Sequence, residues 1–185
     1  SSETFFQHSG NCQWTAITPA LAGFDSTKDW DCVQALGKLW CSNTSTTITW
    51  DGSSTSAVSG APVGSLIDSF RNRIIVGNVT GGQSRIRLSG DLDGTDWTST
   101  GADTSPANIA LGGVNDGQNT TCLMGTYGDA YYIGKLDSLW ALYGFSRADF
   151  AVREISREVG CLEDKTVQEK NGCLYWLSRR GMEKM

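Results

Sequence analysis

Between Phe70 and Trp97 the chain reads FRNRIIVGNVTGGQSRIRLSGDLDGTDW, and this stretch constrains the fold more than any other. Asn72 marks a turn. Arg73-Ile-Ile-Val-Gly77 is a short β-branched run, and Asn78 to Gln83 is a glycine-rich loop. Ser84-Arg-Ile-Arg-Leu-Ser89 then alternates polar and apolar residues. A period of two puts one face of a strand in a core and the other towards water. The two runs therefore predict a β-hairpin, closed by an acidic, glycine-containing turn and Trp97.

The same grammar recurs along the chain. From Val33 to Gly52, Gly37 turns, Leu39-Trp-Cys41 is a strand, Asn43 to Ser45 turn again, and Thr46 to Trp50 pairs back. Asp51-Gly52 is a tight-turn dipeptide. A second unit begins near Val63 and contains the hairpin above. After the loop Gly112 to Asn119, strands are expected at Thr121–Met124, Ala130–Gly134, Leu139–Tyr143 and Phe150–Ile155. A fourth unit holds Thr166 to Glu169, the turn Asn171-Gly172, the strand Cys173–Leu177 and a turn at Arg179 to Gly181. Turns at Gly37, Asn72, Asp129 and Gly172 stand in equivalent places, 35, 57 and 43 residues apart.

Repeated hairpins at such intervals predict an all-β fold, a β-propeller-like array of short antiparallel hairpins. A blade buries both faces of its sheet, and the apolar runs IIVG, AYYIG and CLYWL suit its inner strands. An ordinary β-sandwich with similar hairpins is the alternative. Residues 1–32 form a weakly patterned N-terminal segment, with strand pieces at Phe5-Phe6 and Trp14-Thr-Ala-Ile17. Residues 33–185 form an incomplete propeller-like domain of about four blade units. The start without Met, and Gly181 to Met185 reading as the opening of a strand, add the expectation that this sequence is part of a longer chain.

Composition supports that class and narrows the partners. With 22 Gly and only 3 Pro among 185 residues, the turns are numerous and the strands uninterrupted. A formal net charge of −5 argues against a nucleic-acid partner, which needs a basic face to displace counterions. The longest apolar runs are a few residues, so no membrane-spanning helix is expected. Six Cys stand at 12, 32, 41, 122, 161 and 173 without a C-x-x-C pair, which makes a zinc site unexpected. Cys41, Cys122 and Cys173 fall in or beside strand-like runs and read as buried free thiols, with disulfides as the alternative.

The order of these signals resembles the β-propeller segments of tailed-bacteriophage structural proteins, including tail nozzle, hub and tail-surface components. The matching residues are Phe70, Asn72 and Arg73, then Ser84, Arg85, Ser89, Asp93, Asp96 and Trp97. They continue with Gly134, Lys135, Ser138, Leu139, Trp140 and Gly144, then Val159 and Gly160, and end with Gly172, Leu174, Trp176, Ser178 and Gly181. The resemblance covers about Gly37 to Met185. It implies a non-enzymatic, oligomeric structural protein of the virion, located in the phage tail. Its partners would be other virion proteins and further copies of itself. The alternative is a carbohydrate-binding or receptor-binding module that meets a host-surface glycan, and a hydrolase is a third, weaker reading.

Chemistry-bearing residues are sparse. His8 is the single histidine and reads as a terminal or surface residue rather than a catalytic base. Asp91, Asp93 and Asp96 around Gly94 have oxygen ligands at close spacing, but the loop falls short of an EF-hand and reads as a solvated acidic turn. The same stretch resembles the Asp-box turn of sialidase-like propellers with one residue inserted before the Gly; in that family the turn is structural. Arg71, Arg73, Arg85 and Arg87 share one hairpin and read as edge or inter-subunit charges that guard against aggregation. Trp40, Trp140 and Trp176 recur at corresponding places in three units and read as inter-blade packing. No catalytic, cofactor-binding or metal-ligating residue is assigned, and no cofactor is expected.

Overall fold

The computed structural model describes residues 6–8, 13–16, 29–112 and 118–185. Near the N-terminus β1 (Phe6–His8) and β2 (Trp14–Ala16) pair antiparallel. Four further sheets follow in chain order. The first contains β3 (Asp31–Ala35), β4 (Lys38–Ser42), β5 (Thr47–Trp50) and β6 (Thr55–Ala57). The second contains β7 (Gly64–Phe70), β8 (Arg73–Val79), β9 (Arg85–Leu88) and β10 (Ala107–Ala110). The third contains β11 (Thr120–Tyr127), β12 (Ala130–Lys135), β13 (Leu139–Tyr143) and β14 (Ala151–Ser156). The fourth has three strands, β15 (Gln168–Lys170), β16 (Cys173–Ser178) and β17 (Gly181–Lys184), preceded by a 3₁₀ turn at Asp164–Thr166.

Within each of these sheets every strand pairs antiparallel with the next in sequence. The protein is thus all-β, a propeller-like array of meander sheets. The four equivalent turns expected from the sequence are the first hairpins of the four sheets. Leu36-Gly37, Arg71-Asn72 and Asn171-Gly172 each put both central residues at positive φ. That backbone matches the twist of the flanking strands, and Gly and Asn tolerate it best.

The sheets stack through three apolar cores. Trp40, Ile67, Ile74, Val76 and Trp97 join the first sheet to the second. Leu66, Phe70, Ile86, Leu88, Leu123, Tyr131 and Ile133 join the second to the third. Cys122, Met124, Leu139, Cys161, Leu174 and Trp176 join the third to the fourth. The opening strands β3, β7 and β11 lie side by side. The runs IIVG, AYYIG and CLYWL are therefore the second strands of their sheets, β8, β12 and β16, one place out from the opening strands.

Two expectations need correction here. Cys41 is not a free thiol: it is joined to Cys32 by a disulfide, whereas Cys122 and Cys173 are free. Cys32 and Cys41 stand directly opposite in the β3–β4 register, with Cα atoms 4.1 Å apart, within reach of a cross-strand bridge. The three tryptophans do not occupy corresponding places. Trp140 lies on the third strand of its sheet, whereas Trp40 and Trp176 lie on second strands. The latter two are one residue out of phase relative to Gly37 and Gly172, so Trp40 packs forward onto the second sheet and Trp176 back onto the third. Both are buried in inter-sheet cores, so the packing role stands without the equivalence.

Candidate functional site

Two of the concavities formed by the described residues draw side chains from more than one sheet. The larger is a cleft of about 420 Å³ where β3, β7, β11 and the 3₁₀ turn converge. Its walls carry Asp29, Asp31, Glu163, Asp164 and Lys165 among hydroxyl and amide side chains. Two of the carboxylates span sheets. Asp31 of β3 accepts the Ile67 N–H of β7 at 2.7 Å, and Asp164 accepts the Leu123 N–H of β11 at 2.8 Å. Asp68 of β7 likewise accepts the Tyr131 hydroxyl of β12 at 2.6 Å. Burial pushes the Asp31 carboxyl up to about 6, against the Ile67 N–H, and the charges of Asp164 and Asp68 add to the rise. Burial also raises Asp164 and Asp68, opposed by their hydrogen-bond donors. The cleft thus gathers carboxyl groups that fasten one sheet to the next and hold their protons longer than usual.

The second concavity is a groove of about 280 Å³ along the far end of the second sheet. Arg87, Trp97, Ser99, Asn108, Arg147 and Phe150 contribute to it, and no Asp or Glu does. Arg87 on β9 stands directly opposite Asn108 on β10, so the two side chains share a face. Arg147 follows β13 in the third sheet and donates to the hydroxyls of Ser99 and Ser105.

The four arginines of the hairpin separate in the structure. Arg73, expected as an edge charge, is 1% exposed. Its guanidinium donates to the carbonyls of Ser89 (2.7 Å), Ser105 (2.9 Å) and Asp103 (2.9 Å), which fixes the loop after β9. It is a structural cation, because three backbone acceptors replace the water it loses. Arg71 lies 3.9 Å above the Phe145 ring and reaches the Asp129 carbonyl of the third sheet. Arg85 and Arg87 are half-buried.

The acidic turn consumes its own carboxylates. Asp93 accepts the N–H and hydroxyl of Thr95, bonds that hold its carboxyl below the usual range, and Asp96 accepts the N–H of Thr98. Gly94 sits under Trp40, and a Cβ there would lie 2.4 Å from the indole. The turn is thus a packing element between the first and second sheets. Among the described residues no group of three or more His, Cys, Asp or Glu converges as a metal site. The backbone of His8 lies in β1, and its side chain lies outside the described residues.

The remaining motif residues make close inter-sheet contacts. Lys135 is fully buried and donates to the Leu111 carbonyl and the Ser84 hydroxyl of the second sheet's outer loops. A Cβ on Gly134 would lie 2.5 Å from that of Cys161, and one on Gly160 would lie 2.1 Å from the Lys135 carbonyl. Gly160 in turn accepts the indole N–H of Trp176 at 3.0 Å. The carboxylate links and the Arg87–Arg147 groove were missed in the sequence, because each unites residues from separate sheets. Among the described residues no helix is long and apolar enough to cross a membrane. No protein-family model matches the chain, and a search of curated proteins returns no significant relative.

Proposed function

We propose that this chain is a structural protein of a tailed-phage virion, a non-enzymatic component of the tail that assembles with other virion proteins and with copies of itself. The observation that carries this reading is the use made of the motif residues. Lys135, Arg73, Gly134, Gly160 and Trp176 carry the resemblance, and all of them are engaged in holding sheets or loops together. A scaffold spends its distinctive residues on shape, whereas an enzyme keeps several of them facing a cleft. The outer strands β10, β14 and β17 stand last in their sheets among the described residues, and β14 alternates exposed and half-buried residues along its length. Such edges and the hairpin loops are suited to subunit contacts.

Electron microscopy of the purified protein tests the proposal. A ring or tube of several copies, with hairpin edges at the subunit contacts, supports it. A monomeric disc with an open central pocket at high concentration sinks it, and glycan-binding and hydrolysis assays then take precedence.

A further inference from the structure

We propose that the groove lined by Arg87 and Arg147 is a binding site for a small oxyanion: a carboxylate, sulfate or phosphate carried on a group no larger than a sugar ring. The site goes beyond the assembly reading and does not depend on it.

The charge of the groove favours an anion. Two guanidinium groups from different sheets reach one groove, and no Asp or Glu lines it. The chain carries a net charge of −5, so carboxylates are not scarce. Three surface arginines find them: Arg157 meets Glu154, Arg179 meets Asp137 and Arg180 meets Glu158. Arg87 meets none among the described residues.

The balance of donors and acceptors points the same way. The Nε of Arg87 is enclosed, as are those of Arg71 and Arg73, but its two terminal nitrogens stay accessible and meet no acceptor among the described residues. Asn108 adds an amide beside Arg87, where it suits a hydroxyl neighbouring the anion. Arg147 is braced by Ser99 and Ser105, so it holds its place before a ligand arrives. A planar guanidinium presents paired donors that match an oxyanion, and bracing lowers the ordering cost of binding. The groove volume, about 280 Å³, limits the occupant to a single ring or smaller.

The test is an NMR titration of the wild-type protein, following the Trp97 indole N–H and the Arg87 Nε–H. Sodium glucuronate, inorganic phosphate, sodium sulfate and uncharged glucose are compared at constant ionic strength. We expect saturable shifts of both signals with at least one anion and none with glucose. Glucuronate alone identifies a sugar acid, and phosphate or sulfate alone identifies that anion. Arg87→Gln and Arg147→Gln should each weaken binding about tenfold, with partial recovery in Arg87→Lys. Arg153→Gln, on the outer strand beside Tyr143, should bind as wild type. Absence of saturable shifts with all three anions overturns the proposal. So do equal shifts with glucose, or unchanged affinity in a folded Arg87→Gln or Arg147→Gln. Because the wild-type titration needs no substitution, a variant that fails to fold leaves the test intact.

Discussion

Arg73 and Arg87 lie on adjacent strands of the same sheet, β8 and β9, yet they end in opposite situations. Arg73 is enclosed and meets three backbone carbonyls. The Nε of each is enclosed without an acceptor, but Arg87 is half-buried and its terminal nitrogens also meet no acceptor among the described residues. The difference lies in what the chain places around each. The loop after β9 folds back over Arg73 and turns its carbonyls inward. Around Arg87, the side chains lining the groove bring donors, hydroxyls and an amide but no carboxylate. One arginine therefore holds the fold, and the other is left available to something outside it.

The most forceful way to break this comparison is Arg73→Met. It strands three buried carbonyls, and the expected loss is about 4 kcal/mol of stability, read by chemical denaturation. A loss below about 1 kcal/mol would return Arg73 to the edge role read from the sequence. Gly160→Ala comes next. Its added methyl meets the Lys135 and Leu136 carbonyls of the backbone, which cannot give way cheaply. We expect a loss of about 3 kcal/mol and a lower thermal midpoint.

Removing the Cys32–Cys41 bridge with paired serines should cost about 2 kcal/mol, since the loop it closes is short. Mass spectrometry of the alkylated, unreduced protein should find Cys32 and Cys41 protected and Cys122, Cys161 and Cys173 modified once unfolded.

The cleft carboxyls give a pH dependence. In the folded state Asp31 keeps its proton up to about 6, against an ordinary value of 3.8, so between those limits the folded protein binds more protons than the unfolded one. Stability therefore falls as pH rises from about 4 to about 6. Water still screens part of this carboxyl, so the fall attributable to it is about 1 kcal/mol. Asp31→Asn keeps an acceptor for Ile67 and should flatten the profile in that window. A profile that rises over the same range would reverse the assignment.

Much of the architecture was legible because it is local. Gly37, Asn72 and Gly172 announce hairpins through the backbone conformations they permit, and the alternation of Arg85 to Leu88 survives intact in the burial of Ile86 and Leu88. The disulfide was within reach of the same signals. A hairpin turning at Leu36-Gly37 places residues summing to 73 opposite each other, and Cys32 and Cys41 satisfy that rule. The two concavities were not legible. Asp31 and Asp164 are separated by three sheets of sequence, and Arg87 and Arg147 line one groove only because the second and third sheets stack. Arg73 was misread because alternation says which face a side chain takes and nothing about a loop that later covers it. The tryptophans were misread because a shift of one residue along a strand reverses the face without altering the motif.

The most direct measurement is a paired comparison of Arg73→Met and Arg87→Gln by urea unfolding and by glucuronate, phosphate and sulfate titration. The account predicts that Arg73→Met loses about 4 kcal/mol of stability, while Arg87→Gln stays within about 0.5 kcal/mol of wild type and binds the oxyanion about tenfold more weakly. Equal stability losses in the two variants, or undiminished oxyanion binding in Arg87→Gln, would contradict it.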